Sequence, residues 1–320
     1  MGDRQFRELL VPPKAASMRL DRFLALWFPD WSRASLVRGI KAGEVTDAQD
    51  QPLRPSTILR GGECIRLRVA GLAPGAPPPP LPQILHEDDR ILVFNKPAGL
   101  LAHPAGQSFS WSLIGLCRQH WPKAKLDLVH RLDRDTSGVL VVSKDKEANS
   151  FLKAAFKNRA CIKEYDAITR GVPPWNHREL TGPIGPSEGI IRIKMAVRPD
   201  GLPAHTGVDV VQRRAGPPAL ARIRCRLHTG RTHQIRLHLA HEGFPLLGDR
   251  MYGVPPDVFL RVLETGADEE TYAQTGAPRQ ALHGARIVIS HPDGHELDVK
   301  CPLAPDMESW WTELQDQGTR

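Results

Sequence analysis

The run Ala73-Pro74-Gly75-Ala76-Pro77-Pro78-Pro79-Pro80-Leu81-Pro82 constrains this chain more than any other feature. Proline has no backbone donor and a fixed φ, so the stretch can join neither a helix nor a central strand and favours extended polyproline II. It reads as a semi-rigid linker over residues 71–82 between two folded parts. A chain of 320 residues is long enough for a sizeable core plus a small second module.

Composition excludes several classes. Hydrophobic residues make up 41% of the chain and charged ones 25%, with a mean hydropathy of -0.33. No apolar run approaches the roughly 20 residues of a membrane helix. The segment Met1 to Val11 mixes Asp3, Arg4, Arg7 and Glu8 with isolated apolar residues, so it lacks the apolar centre of a secretory signal. The expected location is cytoplasmic, with no membrane partner. Cys64, Cys117, Cys161, Cys225 and Cys301 lie far apart, which argues against a disulfide framework and against a cysteine zinc site. A net charge of +7 points to a polyanionic partner, although charge alone cannot name it.

Before the linker, Leu20, Phe23, Leu24 and Trp27 have the spacing of a short amphipathic helix. Ser32 can cap a second helix carrying Leu36, Val37 and Ile40, with Gly43 as its stop. Ile65, Leu67 and Val69 then alternate with arginines as in a half-exposed strand. After the linker, Ile91-Leu92-Val93-Phe94 and Val139-Leu140-Val141-Val142 are continuously apolar, the pattern of strands buried on both faces. Further strands are expected at 219–227, 287–289 and 297–299. Helices are expected at 147–157 and from an N-cap at Thr232 to Gly243. Many strands without regular helix alternation predict an α+β domain with a mostly antiparallel sheet over residues 83–310. Residues 255–280 read as an acidic surface excursion.

Two segments are dense in polar groups. His130-Arg131-Leu132-Asp133-Arg134-Asp135-Thr136-Ser137-Gly138 feeds into the apolar run at Val139. Turn formation explains Asp135 to Gly138, but charged groups beside a buried strand need partners, so His130, Arg131 and Asp133 ask for another reason. The second segment runs from Leu227 to His238 and includes Arg231, His233, Gln234 and Arg236. His233, His238 and His241 do not share a ligand face, so no metal is expected there. Asp133 and Asp135 are too close along a turn to straddle a sugar as a glycosidase pair. No G-x-S-x-G elbow supports a serine hydrolase.

Arg19-Leu20-Asp21-Arg22-Phe23-Leu24, Ser32-Arg33-Ala34-Ser35, Ile40 to Val45 and Gly61 to Ile65 resemble the small α+β RNA-binding domain first known from a small-subunit ribosomal protein, here over 18–70. Thr46 to Asp50 replaces the Asn-Gly turn usual in that domain. From Gln83 to Met307 the chain resembles the RluA-type pseudouridine synthases. The matching stretches are Glu87-Asp88-Asp89, Asn95 to Leu100, His103-Pro104, His130 to Gly138, Lys163-Glu164-Tyr165, Thr229 to Arg236, Gly248 to Gly253, His291-Pro292 and Pro302-Leu303.

That resemblance implies an RNA uridine isomerase in which Asp133 is the essential carboxylate. It implies that Arg231 pairs with Asp133 and that Tyr165 stacks on the flipped uracil. Arg131 would hold the vacated space, with His130 supporting the loop. His233, Gln234 and Arg236, together with Arg19, Arg33 and Lys41 of the first domain, are expected to contact RNA. The reaction is redox-neutral and needs no group donor, so no cofactor and no metal are expected, and the chain is expected to act as a monomer. Members with the extra N-terminal domain often modify large-subunit ribosomal RNA, which is preferred here over transfer RNA. A ribosome-assembly factor with secondary catalysis is the competing reading.

Overall fold

A computed structural model describes residues 6–27, 33–68, 79–103, 112–189, 191, 193–265 and 267–316. The chain divides into two compact units, Met1–Leu81 with Leu100–Ala124, and Pro82–Gly99 with Lys125–Arg320. Most of the proline-rich linker, and the expected cap Ser32, lie outside the described residues.

The first unit holds β1 (Phe6–Leu10), α1 (Leu20–Trp27), α2 (Arg33–Lys41), β2 (Val45–Asp47), β3 (Cys64–Arg68) and α3 (Leu113–His120). Its antiparallel sheet has the order β1-β3-β2. Leu20, Phe23 and Leu24 of α1 pack with Leu36 and Ile40 of α2 and with Val45, Ile65 and Leu67 of the sheet. Each such side chain contributes about 1.5–3 kcal/mol when fully buried. Gly43, at φ +77, ends α2: its N–H donates to Ile40 O at 3.1 Å and that of Glu44 to Gly39 O at 3.1 Å. In the altered turn after β2, Asp50 takes the left-handed conformation (φ +61), and Asp47 accepts from the Gln49 and Gln51 N–H groups, each at 2.9 Å.

The second unit begins with β4 (Ile84–Glu87), β5 (Ile91–Lys96), β6 (Asp127–Leu128), β7 (Ser137–Ser143), α4 (Lys146–Lys157) and β8 (Cys161–Arg170). It continues with β9 (His177–Leu180), β10 (Ile184–Pro186), β11 (Met195–Val197), β12 (Thr206–Arg214), β13 (Leu220–Leu227) and α5 (Gln234–His241). Then come α6 (Pro256–Thr265), α7 (Glu269–Thr275), β14 (Leu282–Ser290), β15 (Glu296–Lys300) and α8 (Pro305–Asp316). A ten-stranded sheet runs β4-β5-β7-β14-β8-β13-β12-β9, with β15 on β14 and β6 on β7. Every pairing in it is antiparallel except β7 with β14. The fold is α+β with a mostly antiparallel sheet. β7 is buried throughout, and Ile91 to Phe94 of β5 are buried on both faces. No helix among the described residues is long and apolar enough to cross a membrane.

Two expectations need correction. The helix expected from Thr232 starts at Gln234, with His233 before it in the left-handed region (φ 57). The reason is Gln234: its Oε1 accepts from Arg231 N at 2.9 Å and from Thr229 Oγ1 at 2.7 Å, so residues 229–233 wrap around a side chain as a loop. The acidic segment 255–280 is two helices, not an excursion. Asp268 caps α7 by accepting from Thr271 N at 2.8 Å, and Gly276 closes it at φ +85. Val258 of α6, Thr271 and Thr275 of α7, and Ala277 just after it are buried.

Candidate active site

Asp133 opens a turn closed by Thr136 N–H to Asp133 O at 3.1 Å. The turn lies between two anchors. Ahead of it, the short ladder of β6 on β7 ends, and the chain leaves the sheet at His130. There Val141 N–H, which a continuing strand would satisfy with a carbonyl, donates to His130 Nε2 at 3.1 Å. That imidazole stacks on Phe156, with centroids 4.8 Å apart, and burial together with the nearby Lys163 charge pushes its pKa down to about 3. His130 is therefore neutral. Behind the turn, Ser137 Oγ meets His283 Nδ1 at 2.9 Å. Gly138 (φ +110) abuts β14 so closely that a Cβ would collide with the Gly284 carbonyl. Glycine is required there.

The Asp133 carboxylate, with 27% of its side chain exposed, faces a cavity of about 540 Å3. Arg131, Lys163, Tyr165, Arg231 and His233 also line it. Tyr165 projects from β8, between β13 and β14; burial and then the Asp133 charge raise its pKa, so it stays a neutral phenol.

The cation that holds Asp133 is Arg236, not the expected Arg231. Arg236 Nη1 donates to Asp133 Oδ2 at 3.0 Å, while its Nε and Nη2 grip the fully buried Asp249 at 2.7 and 3.0 Å. Burial opposes both charges. The ion pair outweighs it, raising the Arg236 pKa and lowering that of Asp249. Asp249 is fixed in turn by the N–H groups of Met251 and Tyr252 at 2.9 and 3.1 Å. The guanidinium thus presents one free edge to Asp133, a charge-assisted contact with its partner pre-oriented. Tyr252 Oη accepts from Met195 N at 3.0 Å and lies 3.0 Å from His233 Nδ1. If the phenol proton serves that bond, the ring proton sits on Nε2, which is 3.9 Å from Asp133 Oδ2. Burial, then the Arg236 charge, push the His233 pKa down to about 4.

The remaining expected residues fall into separate places. Arg231 lines the cavity, and its Nε donates to Pro203 O at 3.0 Å. Gln234 is not on an RNA-facing surface. It is buried, and its amide donates to His205 O and Thr206 Oγ1 at 2.9 and 2.8 Å, so both ends serve the protein. Arg236, also expected to contact RNA, is buried beneath Asp133. In the first unit, Arg19 is committed to Asp21 by two bonds of 3.1 Å, and Lys41 is exposed at the end of α2. The Arg33 side chain lies outside the described residues. Glu179, His205 and His228 bring ligand-type atoms within 4.8 Å of one another, but His205 Nε2 is already bonded to Glu179 Oε2 at 2.5 Å.

Two supports had no role assigned from sequence. One is Asp249 with Tyr252, whose signal was a carboxylate set between glycines in Gly248 to Gly253. The other is Lys96, fully buried, whose Nζ donates to Pro97 O at 2.9 Å and to Arg134 O at 3.0 Å. It ties the Asn95-Lys96-Pro97 strand end to the Asp133 turn. Burial lowers its pKa to about 7, against the nearby Asp135 charge, which raises it.

A carboxylate clamped by a buried arginine, facing a cavity with a neutral tyrosine, is a site for acid–base or nucleophilic chemistry. Comparison with known proteins specifies the class. The family model described as RNA pseudouridylate synthase matches residues 90–241. A Xanthomonas campestris protein called ribosomal large subunit pseudouridine synthase D is 34% identical, over 99% of this chain and 95% of its own length. A Neisseria meningitidis protein of the same name is 37% identical, over 93% of this chain and 79% of its own. The structure of human RNA pseudouridylate synthase domain containing 4 superposes with a TM-score of 0.56 at 25% identity, covering 72% of this chain and 92% of that one. Fold, site and relatives define an RNA pseudouridine synthase, an isomerase acting on RNA. More particularly, the chain belongs to the RluA-type family of these enzymes.

Proposed function

We propose that this protein isomerises uridine to pseudouridine in large-subunit ribosomal RNA, with Asp133 as its catalytic carboxylate. The observation that carries the reading is the Asp133–Arg236–Asp249 arrangement at the cavity. It fixes the Asp133 carboxylate beside a neutral tyrosine in a space within the size range of small-ligand sites. The names of the relatives favour ribosomal over transfer RNA.

The reaction breaks the bond between ribose C1′ and uracil N1 and rejoins the ring through C5. The target base must first leave its stack, at a cost of a few kcal/mol. Arg131, exposed at the cavity and two residues from Asp133, is positioned to occupy the vacated space. The Asp133 carboxylate then either attacks C1′ or removes the neighbouring ribose proton; both courses use the same ionised group. Arg236 fixes its orientation throughout. Tyr165 offers a ring face to the detached uracil, and its neutral phenol can relay protons: its oxygen accepts the proton lost from C5 as its own proton passes on, and N1 gains one proton for the one C5 loses. No step needs a metal or an organic cofactor.

Lys41 and the other exposed basic groups of the first unit would add a second RNA contact. The reading has the enzyme act in the cytoplasm and as a monomer, since one chain carries every residue of the site. Mapping pseudouridine in total RNA from wild-type cells and from cells carrying Asp133→Asn tests it. One or a few ribosomal sites should be lost in the variant. Full occupancy at every site would sink the proposal, and loss confined to transfer RNA would move the target.

A further inference from the structure

Beside the catalytic cavity lies a second cavity of about 480 Å3, and the two share Arg159, Leu227 and His228. It opens over the ends of β14, β8 and β13. We infer that Arg159 and Arg226, at its junction with the catalytic cavity, form a phosphate-binding site that seats the RNA backbone next to the target uridine. The inference rests on the isomerase reading for the identity of that RNA.

The first argument is charge accounting along β13. Arg222, Arg224 and Arg226 alternate on its polar face. Arg222 lies 3.4 Å from Glu308, and Arg224 donates to Asp166, its cross-strand neighbour, at 2.7 Å. Arg226 has a cross-strand neighbour of the right sign in Glu164, but that carboxylate turns to Arg286 at 3.5 Å. Arg226 is exposed and makes no ion pair among the described residues.

The second argument is the backbone at Arg159. It follows Asn158, the C-cap of α4, in the left-handed conformation at φ +61. Glycine is the usual residue at that position, and a side chain there costs on the order of 1 kcal/mol. The chain accepts this strain while displaying an exposed guanidinium that lines both cavities and, like Arg226, forms no ion pair among the described residues.

The other charged and titratable groups of the second cavity do not cancel these two. His228 has its pKa lowered by burial, and His205 is bonded to Glu179. The one carboxylate among the lining residues is Glu296 of β15. In strand order, β14 and β8 separate it from Arg226, so the cationic half is the half that adjoins the catalytic cavity. Two unpaired guanidiniums beside a nucleotide-sized pocket match the fork geometry by which arginine holds a phosphate.

The test measures equilibrium binding of an oligouridylate strand against salt, alongside turnover on deproteinised large-subunit ribosomal RNA. Arg159→Gln/Arg226→Gln is expected to reduce the salt slope of binding by about 1.4, two single-strand contacts' worth. It should raise KM about tenfold or more while kcat stays within about twofold, as for uniform binding lost. Arg222→Gln, on the same strand face but already paired, should leave the slope unchanged. An unchanged slope in the double variant overturns the site. A reduced slope in a protein whose wild type forms no pseudouridine keeps the site and overturns the isomerase reading instead.

Discussion

At Asp133 the protein aims a carboxylate with one edge of a buried arginine whose other edge a second carboxylate, Asp249, already holds. Asp249→Asn should therefore do more than remove a surface charge. It leaves Arg236 buried without its main partner, a change worth about 3–5 kcal/mol in stability. The urea midpoint should fall accordingly, and kcat should drop with little change in KM as the guanidinium loses its fixed edge. Lys96 adds a pH signature. Its folded pKa of about 7 lies below the ordinary 10.5, so between those values the unfolded chain binds the extra proton. Stability from this group thus rises with pH across that window. Wild type should gain on Lys96→Met in denaturant midpoint as pH increases from about 7 to about 10; parallel curves would show that Lys96 is charged in both states. His130 makes the opposite demonstration. Its Nε2 accepts Val141 N–H, so its ring resonances should stay flat from about pH 5 to about pH 8, where an ordinary histidine titrates. A midpoint inside that range contradicts the hydrogen bond.

At the scale of elements, steric fit between β7 and β14 places the turn. Gly138 and Gly294 both have positive φ, at +110 and +93, but only Gly138 faces a backbone that a Cβ would strike. Gly294→Ala should cost only the left-handed conformation, about 1–2 kcal/mol. Gly138→Ala should cost more than that by forcing the one parallel pairing of the sheet apart, and comparison of their thermal midpoints checks the order. Elements whose pattern is local were legible in sequence. The two-faced burial of Ile91 to Phe94 and Val139 to Val142, the alternation around Ile65 and Leu67, and the Gly43 stop all follow from nearest neighbours along the chain. The start of α5 was not legible, because Gln234 reaches back with a side chain to do what the Thr232 cap was expected to do. Segment 255–280 misled through its net acidity, which hid an Asp268 cap and a Gly276 stop. The pairing of Asp133 was legible as a need for a cation but not as a choice between two. Arg231 and Arg236 stand five residues apart in one motif, and only the buried Asp249 decides which guanidinium turns inward.

For the whole molecule, charge and fold answer different questions. A net +7 accords with an RNA partner, and the ten-stranded sheet brings Asp133, Tyr165, Arg236 and Asp249 together from four separated stretches of chain. Neither property names the reaction, which comes from the site and its relatives. The central claim is that this one carboxylate drives the isomerisation. Its most direct test is release of tritium from ribosomal RNA carrying tritium at uracil C5, since that hydrogen must leave when C5 becomes the glycosidic carbon. Purified wild type should release label in proportion to sites modified. Asp133→Asn should fall by about 1,000-fold or more, as expected when an essential covalent or acid–base group is removed, while RNA binding by the folded variant persists. Release by Asp133→Asn at the wild-type rate would contradict the assignment of the chemistry to Asp133.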